Sequence, residues 1–319
     1  MIEEIPLNFK FNPANAKLNY PQCRCGNCPQ FYFNLLSVAS RGSGKTFNIF
    51  KLISHYEQND LIDNDEKIRP LRTIVISPTL DANPIFKGLT SLDEEDIHDK
   101  FSDELLQGIV TEIKKNKEET ELYHKYIEAY KKAIRIKETK LTEFFDKNPE
   151  IYDILKVHNF EDPDEIPKPK YLISPVNIIV LDDLMATGAF TNKKLSSLTN
   201  NLIKNRHNGI SFAILAQSVK SIPKNIRLNC NVFFIGKFAS KKVVLEDLYE
   251  EVSNVLTIEQ FEELYDVATE EQYGSLIIDC SHKDKRFMRG LDTQLIIKDR
   301  KSTRLNSSHR SLSRMPSSA

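Results

Sequence analysis

The residues Ala39-Ser40-Arg41-Gly42-Ser43-Gly44-Lys45-Thr46 lie directly between an apolar, β-rich run, Phe31–Val38, and a helical pattern, Phe47–Tyr56. Small residues in such a loop let backbone N–H groups turn inward around phosphate oxygens. The helix that begins near Gly44 points the positive end of its dipole at the same anion. Lys45 has the reach for a β- or γ-phosphate, and the Thr46 hydroxyl is placed to ligate Mg²⁺. The octet therefore predicts an ATP–Mg²⁺ site held by Ser40, Arg41, Gly42, Ser43, Gly44, Lys45, Thr46 and Phe47. Ala39 stands where the usual motif has glycine. Alanine disfavours positive φ, so some change where the loop leaves the strand is expected.

Further apolar runs recur outward from this loop. They are Thr73–Ser77, Asn177–Leu181, Ile210–Ala216 and Asn231–Ile235, separated by helical or polar stretches. That alternation predicts an α/β fold, a mostly parallel central sheet flanked by helices. Gly274–Asp279 and Arg286–Arg289 flank a polar turn and read as a C-terminal antiparallel hairpin. About a hundred residues separate the second strand from the third, far more than a crossover needs. Within that gap Leu122, Tyr126, Ala129 or Tyr130, Ala133, Ile136 or Lys137, and Leu141 follow a helical period. Residues 89–170 are read as a helical insertion, closed by the proline-broken segment Glu161–Lys170. The expected organisation is an N-terminal extension over 1–30, an ATPase domain over 31–298 and a tail over 299–319.

That tail, Asp-Arg-Lys-Ser-Thr-Arg-Leu-Asn-Ser-Ser-His and a Ser/Arg-rich end, resembles a translation of sequencing-adapter DNA read through in frame, a natural disordered basic tail being the alternative. Of the chain's 44 basic and 45 acidic residues it holds Arg300, Lys301, Arg304, Arg310, Arg314 and Asp299. The rest carries a formal charge of −5, so any DNA contact must come from a local patch or pore. No apolar run reaches the roughly 18 residues that span a bilayer, which predicts no membrane segment. At 40% hydrophobic and 28% charged residues the composition is that of a folded globular chain. The five scattered cysteines give no secreted disulfide framework and fit a reducing cytosol or nucleus.

Three further features carry chemistry. Asn177–Leu181 runs into Asp182-Asp183, two carboxylates at the C-terminal end of a buried strand, where open α/β sheets bind ligands. Asp182 is expected to hold Mg²⁺ and Asp183 to orient or deprotonate the attacking water, a task more often given to glutamate. Gln217 closes the strand Ile210–Ala216 and is expected to sense the γ-phosphate or its water. Cys23, Cys25 and Cys28 could hold structural zinc if a fourth ligand folded near, with His55 or Cys230 as arbitrary choices; free thiols are the alternative.

Taken in order, Lys45-Thr46, Asp182-Asp183, Asn205-Arg206-His207, Gln217, Ile222-Pro223-Lys224-Asn225-Ile226-Arg227-Leu228-Asn229 and Tyr273–Asp279 resemble the poxvirus-type genome-packaging ATPases of the FtsK–HerA superfamily. The resemblance spans about Asn34–Lys298 and is weakest in the helical insertion. It implies a recA-like P-loop ATPase acting as a ring, usually a hexamer, that pulls double-stranded DNA into a preformed capsid. It implies a host-cell cytoplasm, virus factory or nucleus as the setting, with transient contact to a capsid vertex. In such rings an arginine from one subunit enters its neighbour's site. Arg227 is the first expectation for that role and Arg206 the second. Lys193, Lys194, Lys204, Arg206 and His207 are the basic residues expected to touch DNA phosphates, an ordinary helix face being the alternative. Another DNA-translocating P-loop ATPase, such as a helicase or conjugation-type coupling protein, and a nucleotide-binding scaffold without turnover are the other readings.

Overall fold

The computed structural model describes residues 20–26, 28–63, 66–79, 84–184, 190, 196–253, 256–281 and 287–297. Lys193, Lys194, Arg286, most of the N-terminal extension and the tail over 299–319 lie outside the described residues.

In chain order the strands and first helices are β1 (Gln22–Cys23), β2 (Asn34–Val38), α1 (Lys45–Glu57), β3 (Leu61–Ile62), β4 (Leu71–Ile76), β5 (Ile97–His98) and α2 (Asp103–Ala133). Then come α3 (Leu141–Lys147), α4 (Pro149–Lys156), β6 (Val176–Asp182), α5 (Ser197–Ile203), α6 (Asn205–Asn208), β7 (Ile210–Ala216), α7 (Lys224–Arg227) and β8 (Val232–Gly236). The chain ends on α8 (Lys241–Val252), α9 (Ile258–Ala268), β9 (Ser275–Asp279), β10 (Phe287–Arg289) and β11 (Thr293–Gln294). Nine strands form one sheet in the order β11-β10-β9-β8-β2-β7-β6-β4-β5. From β8 to β5 every pairing is parallel, whereas β9, β10 and β11 add antiparallel. The α/β expectation, mostly parallel with a C-terminal antiparallel addition, matches this sheet.

The central strands are apolar throughout because both faces are covered. Alternate residues feed two cores. Leu36, Val38, Ile179, Leu181, Phe212 and Ile214 point to the face covered by α5, α8, α9 and the first half of α2. Leu35, Ile178, Val180, Ala213 and Leu215 point to the face covered by α1 through Ile49, Leu52, Ile53 and Tyr56. Burial of this kind, at about 25 cal/mol per Å² of apolar surface, is the main force holding the layers together.

The long helix α2 is shared between two cores. Ser102 caps its start by accepting from the Leu105 N–H at 3.0 Å. Leu106, Ile109, Val110 and Ile113, at helical spacing, pack on the sheet. Beyond them Tyr126 and Ala129 turn to a separate small core with Ile151, Leu155 and Ile166. Leu122, expected on the inward stripe, is 62% exposed; on that turn the covered side is the one where Thr120 and His124 bond the Tyr171 and Leu172 carbonyls, at 2.7 Å each. The helix is fastened to β4 by buried Arg72, which donates to both Asp96 carboxylate oxygens at 2.8 and 2.7 Å and to Glu112 of α2 at 3.0 Å. No helix among the described residues is long and apolar enough to cross a membrane.

Candidate functional site

The phosphate loop leaves β2 at the C-terminal end of the parallel strands. Its two left-handed positions fall on glycine, Gly42 at φ 76° and Gly44 at φ 81°, conformations that cost an L-residue a steric clash. Ala39 is not among the positive-φ residues, so the substitution leaves the loop's backbone unstrained. The methyl of Ala39 is buried against Gly236 at the end of β8, where a Cβ would approach it to 2.7 Å. Ser40 ties the loop to the same strand exit. Its N–H donates to the Lys237 carbonyl at 3.1 Å, and its hydroxyl accepts from the Ala239 N–H at 3.2 Å.

Because β7 lies between β2 and β6, three strand ends converge on the loop. A cavity of about 140 Å³ there is lined by Arg41, Gly42, Lys45, Thr46, Thr79, Asp182, Asp183 and Gln217, with the end of β7. The Thr46 hydroxyl donates to Asp182 Oδ2 at 3.2 Å. The Lys45 ammonium rests on the Ala39 and Ser40 carbonyls at 3.0 and 3.1 Å. Gln217 Nε2 donates to Asp183 Oδ1 at 3.2 Å. Asp183 itself has φ 53°, the left-handed region that Asp visits more readily than most residues. Such outliers gather at functional sites.

The electrostatics follow from burial. Desolvation raises the Asp182 carboxyl to about 6, against the Thr46 hydrogen bond, which favours the charged form. Desolvation also lowers the Lys45 ammonium, with Asp182 and Asp183 opposing it. A buried carboxylate beside a hydroxyl offers hard oxygen donors, the chemistry that Mg²⁺ takes, so Thr46 and Asp182 fit that ion.

Two residues of this region were not singled out as site residues from the sequence. Thr79, two positions after buried Ser77, lines the cavity from the end of β4; its place at a strand C-terminus was the available signal. Tyr273 is 52% exposed, has φ 66°, and its ring and Cβ lie 3.3–3.6 Å from where a Gly44 Cβ would stand. Phe47, at 51% exposed, stands on the first turn of α1.

The remaining expectations fall elsewhere. The Arg227 guanidinium is enclosed within the fold. Its Nε donates to Glu251 at 2.8 Å, and Nη1 donates to the Ile222 and Val219 carbonyls at 2.8 and 3.3 Å. An arginine bound this way does not project from the surface. Arg206, on α6, is exposed, with its guanidinium 5.7 Å from the Tyr20 ring centroid. It stands with exposed Lys204 and His207 just before β7, at the end of the sheet opposite the phosphate loop. A cavity of about 260 Å³ lies there, but its Arg72 is already paired with Asp96 and Glu112. Cys23, Cys25 and Cys28 come together before β2. The hydrogen bond with Cys28 holds the Cys23 thiol down to about 6 and pushes that of Cys28 up.

No protein-family model and no curated protein matches the chain. Among solved structures it is similar to the genome packaging NTPase B204 of Sulfolobus turreted icosahedral virus 2 in complex with AMP, at 11% identity and TM-score 0.44, over 83% of this chain and 98% of that one. The DNA-packaging ATPase B204 of Sulfolobus turreted icosahedral virus gives 12% identity and TM-score 0.41, over 83% and 98%. The pCW3 conjugation coupling protein TcpA gives 13% and 0.40, over 89% and 66%. A parallel sheet, a glycine loop running into a helix and a carboxylate pair across one intervening strand define a P-loop NTPase fold.

Proposed function

We propose that the chain is an ATP-hydrolysing motor that works as a ring, most simply a hexamer, and moves double-stranded DNA into a preformed capsid. The observation that carries the ATPase part is the convergence of Thr46 on Asp182 and of Gln217 on Asp183 beside the phosphate loop. The DNA, ring and capsid parts rest on the ordered sequence resemblance from Lys45 to Asp279.

In this reading the loop N–H groups and Lys45 hold the phosphates. Thr46 and Asp182 hold Mg²⁺, which when bound spreads the charge of the phosphate oxygens. Asp183 takes or orients the proton of the attacking water, and Gln217 fixes the Asp183 carboxylate for that task. Tyr273 forms the wall that receives the nucleoside above Gly44. The trans role passes from Arg227 to Arg206. A ring joins two different faces of each subunit, so a residue remote from its own phosphate loop suits a neighbour's site.

Turnover measured with and without double-stranded DNA tests this. Stimulation by DNA, abolished by Lys45→Ala and by Asp182→Asn, is expected. Tight ATP binding with no turnover would leave only the scaffold reading. Turnover that DNA does not change would remove the motor.

A further inference from the structure

The segment before β2 is built around sulfur. Cys23 pairs with Leu61 through the small β1–β3 ladder, and Gly26, at φ 65°, turns the chain back with its N–H on the Cys23 carbonyl at 3.1 Å. That turn gathers the Cys-x-Cys-x-x-Cys run, so that the Sγ atoms of Cys23, Cys25 and Cys28 all lie within 4.8 Å of one another. Cys23 and Cys25 are 3.0 Å apart at sulfur, and none of the three is in a disulfide. The cluster is not at the surface. Cys23 is 6% exposed, and the other two are half-buried against the core of Phe31, Tyr56 and Leu61.

Three thiols facing one another gain little as packing. Each is a weak donor and a weak acceptor, and an apolar side chain would fill the same space as well. A soft cation gives the arrangement a purpose. Thiolates at about 2.3 Å from tetrahedral zinc stand about 3.7 Å apart, a spacing these sulfurs reach by small side-chain shifts. Three sulfurs select zinc over the hard cation suited to Thr46 and Asp182.

We propose that Cys23, Cys25 and Cys28 form a three-thiolate zinc site, with water as the fourth ligand in place of a protein group, that fastens the segment ahead of β2 to the far end of the phosphate-loop helix. The fastening is visible in the neighbours. The Tyr56 hydroxyl of α1 donates to the Pro29 carbonyl at 2.6 Å, and the Tyr56 ring lies 4.6 Å from that of Phe31. Arg24, inside the cysteine run, pairs with Asp60 just past α1 at 2.7 Å. Each S–H gives its proton to solvent as its S–Zn bond forms, and no electron is transferred. The site is independent of nucleotide turnover.

The test uses the full chain produced with zinc in the medium. Elemental analysis is expected to find one zinc per chain, and to find it at less than about a tenth of that in Cys23→Ser, Cys25→Ser and Cys28→Ser. Cys230→Ser and Cys280→Ser keep the metal. Exchange of zinc for Co²⁺ in the unaltered protein is expected to give a thiolate-to-cobalt charge-transfer band, a readout that does not depend on whether the serine variants fold. Chelation should expose three more cysteines to alkylation. A zinc-replete preparation without metal and without that band overturns the proposal. So does an intact mass two hydrogens light, which would mark a disulfide in its place.

Discussion

Ala39 and Gly236 divide one volume between them: a Cβ on Gly236 would lie 2.7 Å from the Ala39 Cβ, closer than two carbons can pack. The alanine at the head of the phosphate loop is thus matched by a glycine on the adjoining parallel strand. Gly236→Ala is expected to destabilise the fold by about 1–3 kcal/mol, the usual cost of overpacking a tight site. Adding Ala39→Gly should return most of that loss, so the two changes couple strongly in a double-mutant cycle. Chemical denaturation of the four proteins measures it. Additive effects would show that the two positions do not share the space.

Asp182 should destabilise the metal-free protein. Its carboxyl ionises at about 6 in the fold against an ordinary value of 3.8, because burial penalises the charged form. The folded state therefore holds the proton more tightly than the unfolded chain, and stability falls as pH rises through that window. Asp182→Asn removes the titration and keeps an acceptor for the Thr46 hydroxyl. In chelator at pH 7.5 the variant is expected to be more stable by on the order of 2–3 kcal/mol. Near pH 4 the two proteins should melt together. Thermal denaturation across that range decides it, and a variant that loses stability at pH 7.5 counts against the assignment.

Gln217 reaches Asp183 across the ends of β7 and β6, and that contact gives its role a test. Gln217→Ala leaves the phosphate loop and the Thr46–Asp182 pair untouched. Nucleotide affinity should hold within about twofold while kcat falls on the order of 100-fold, since only positioning of the Asp183 carboxylate is lost. Binding isotherms and steady-state turnover separate the two. A matched loss of affinity would instead make Gln217 a binding residue.

The readable parts of the sequence are those that a local pattern specifies. Apolar runs gave the parallel strands to within a few residues, and the glycines, Lys45 and Thr46 marked the loop. Gln217 could be set at the nucleotide end because it closes a buried strand beside the Asp182 strand, whereas its bond to Asp183 is legible only in the fold. Contacts between distant segments left no such pattern. Gly236 looks like an ordinary strand end until β8 is known to lie next to β2. Arg72 sits in an otherwise apolar run, and neither Asp96 nor Glu112 announces itself as its partner. β5 has two residues, too few for a period. The helical stripe of α2 is continuous in sequence, yet half of it faces the sheet and half a second core, a division set by where the helix leaves the sheet. Arg227 reads as a surface arginine in a polar loop because Glu251, which encloses it, lies on a different helix.

That pair gives the last prediction. The Arg227 and Glu251 side chains are 15% and 2% exposed, and truncating either strands a charge in a poorly hydrated place. Arg227→Ala is expected to cost about 3–5 kcal/mol, whereas Arg227→Met with Glu251→Leu should come much closer to neutral. An arginine acting in a neighbour's site behaves differently. Its alanine variant folds well, loses turnover, and regains part of it when mixed with Lys45→Ala subunits that still carry the arginine. For Arg227 no such rescue is expected, and its loss of activity should follow its loss of folded protein. For Arg206→Ala rescue is expected with stability unchanged. Mixed-subunit turnover with a melting curve for each variant separates the two arginines. A well-folded Arg227→Ala protein revived by Lys45→Ala partners would return the trans role to Arg227.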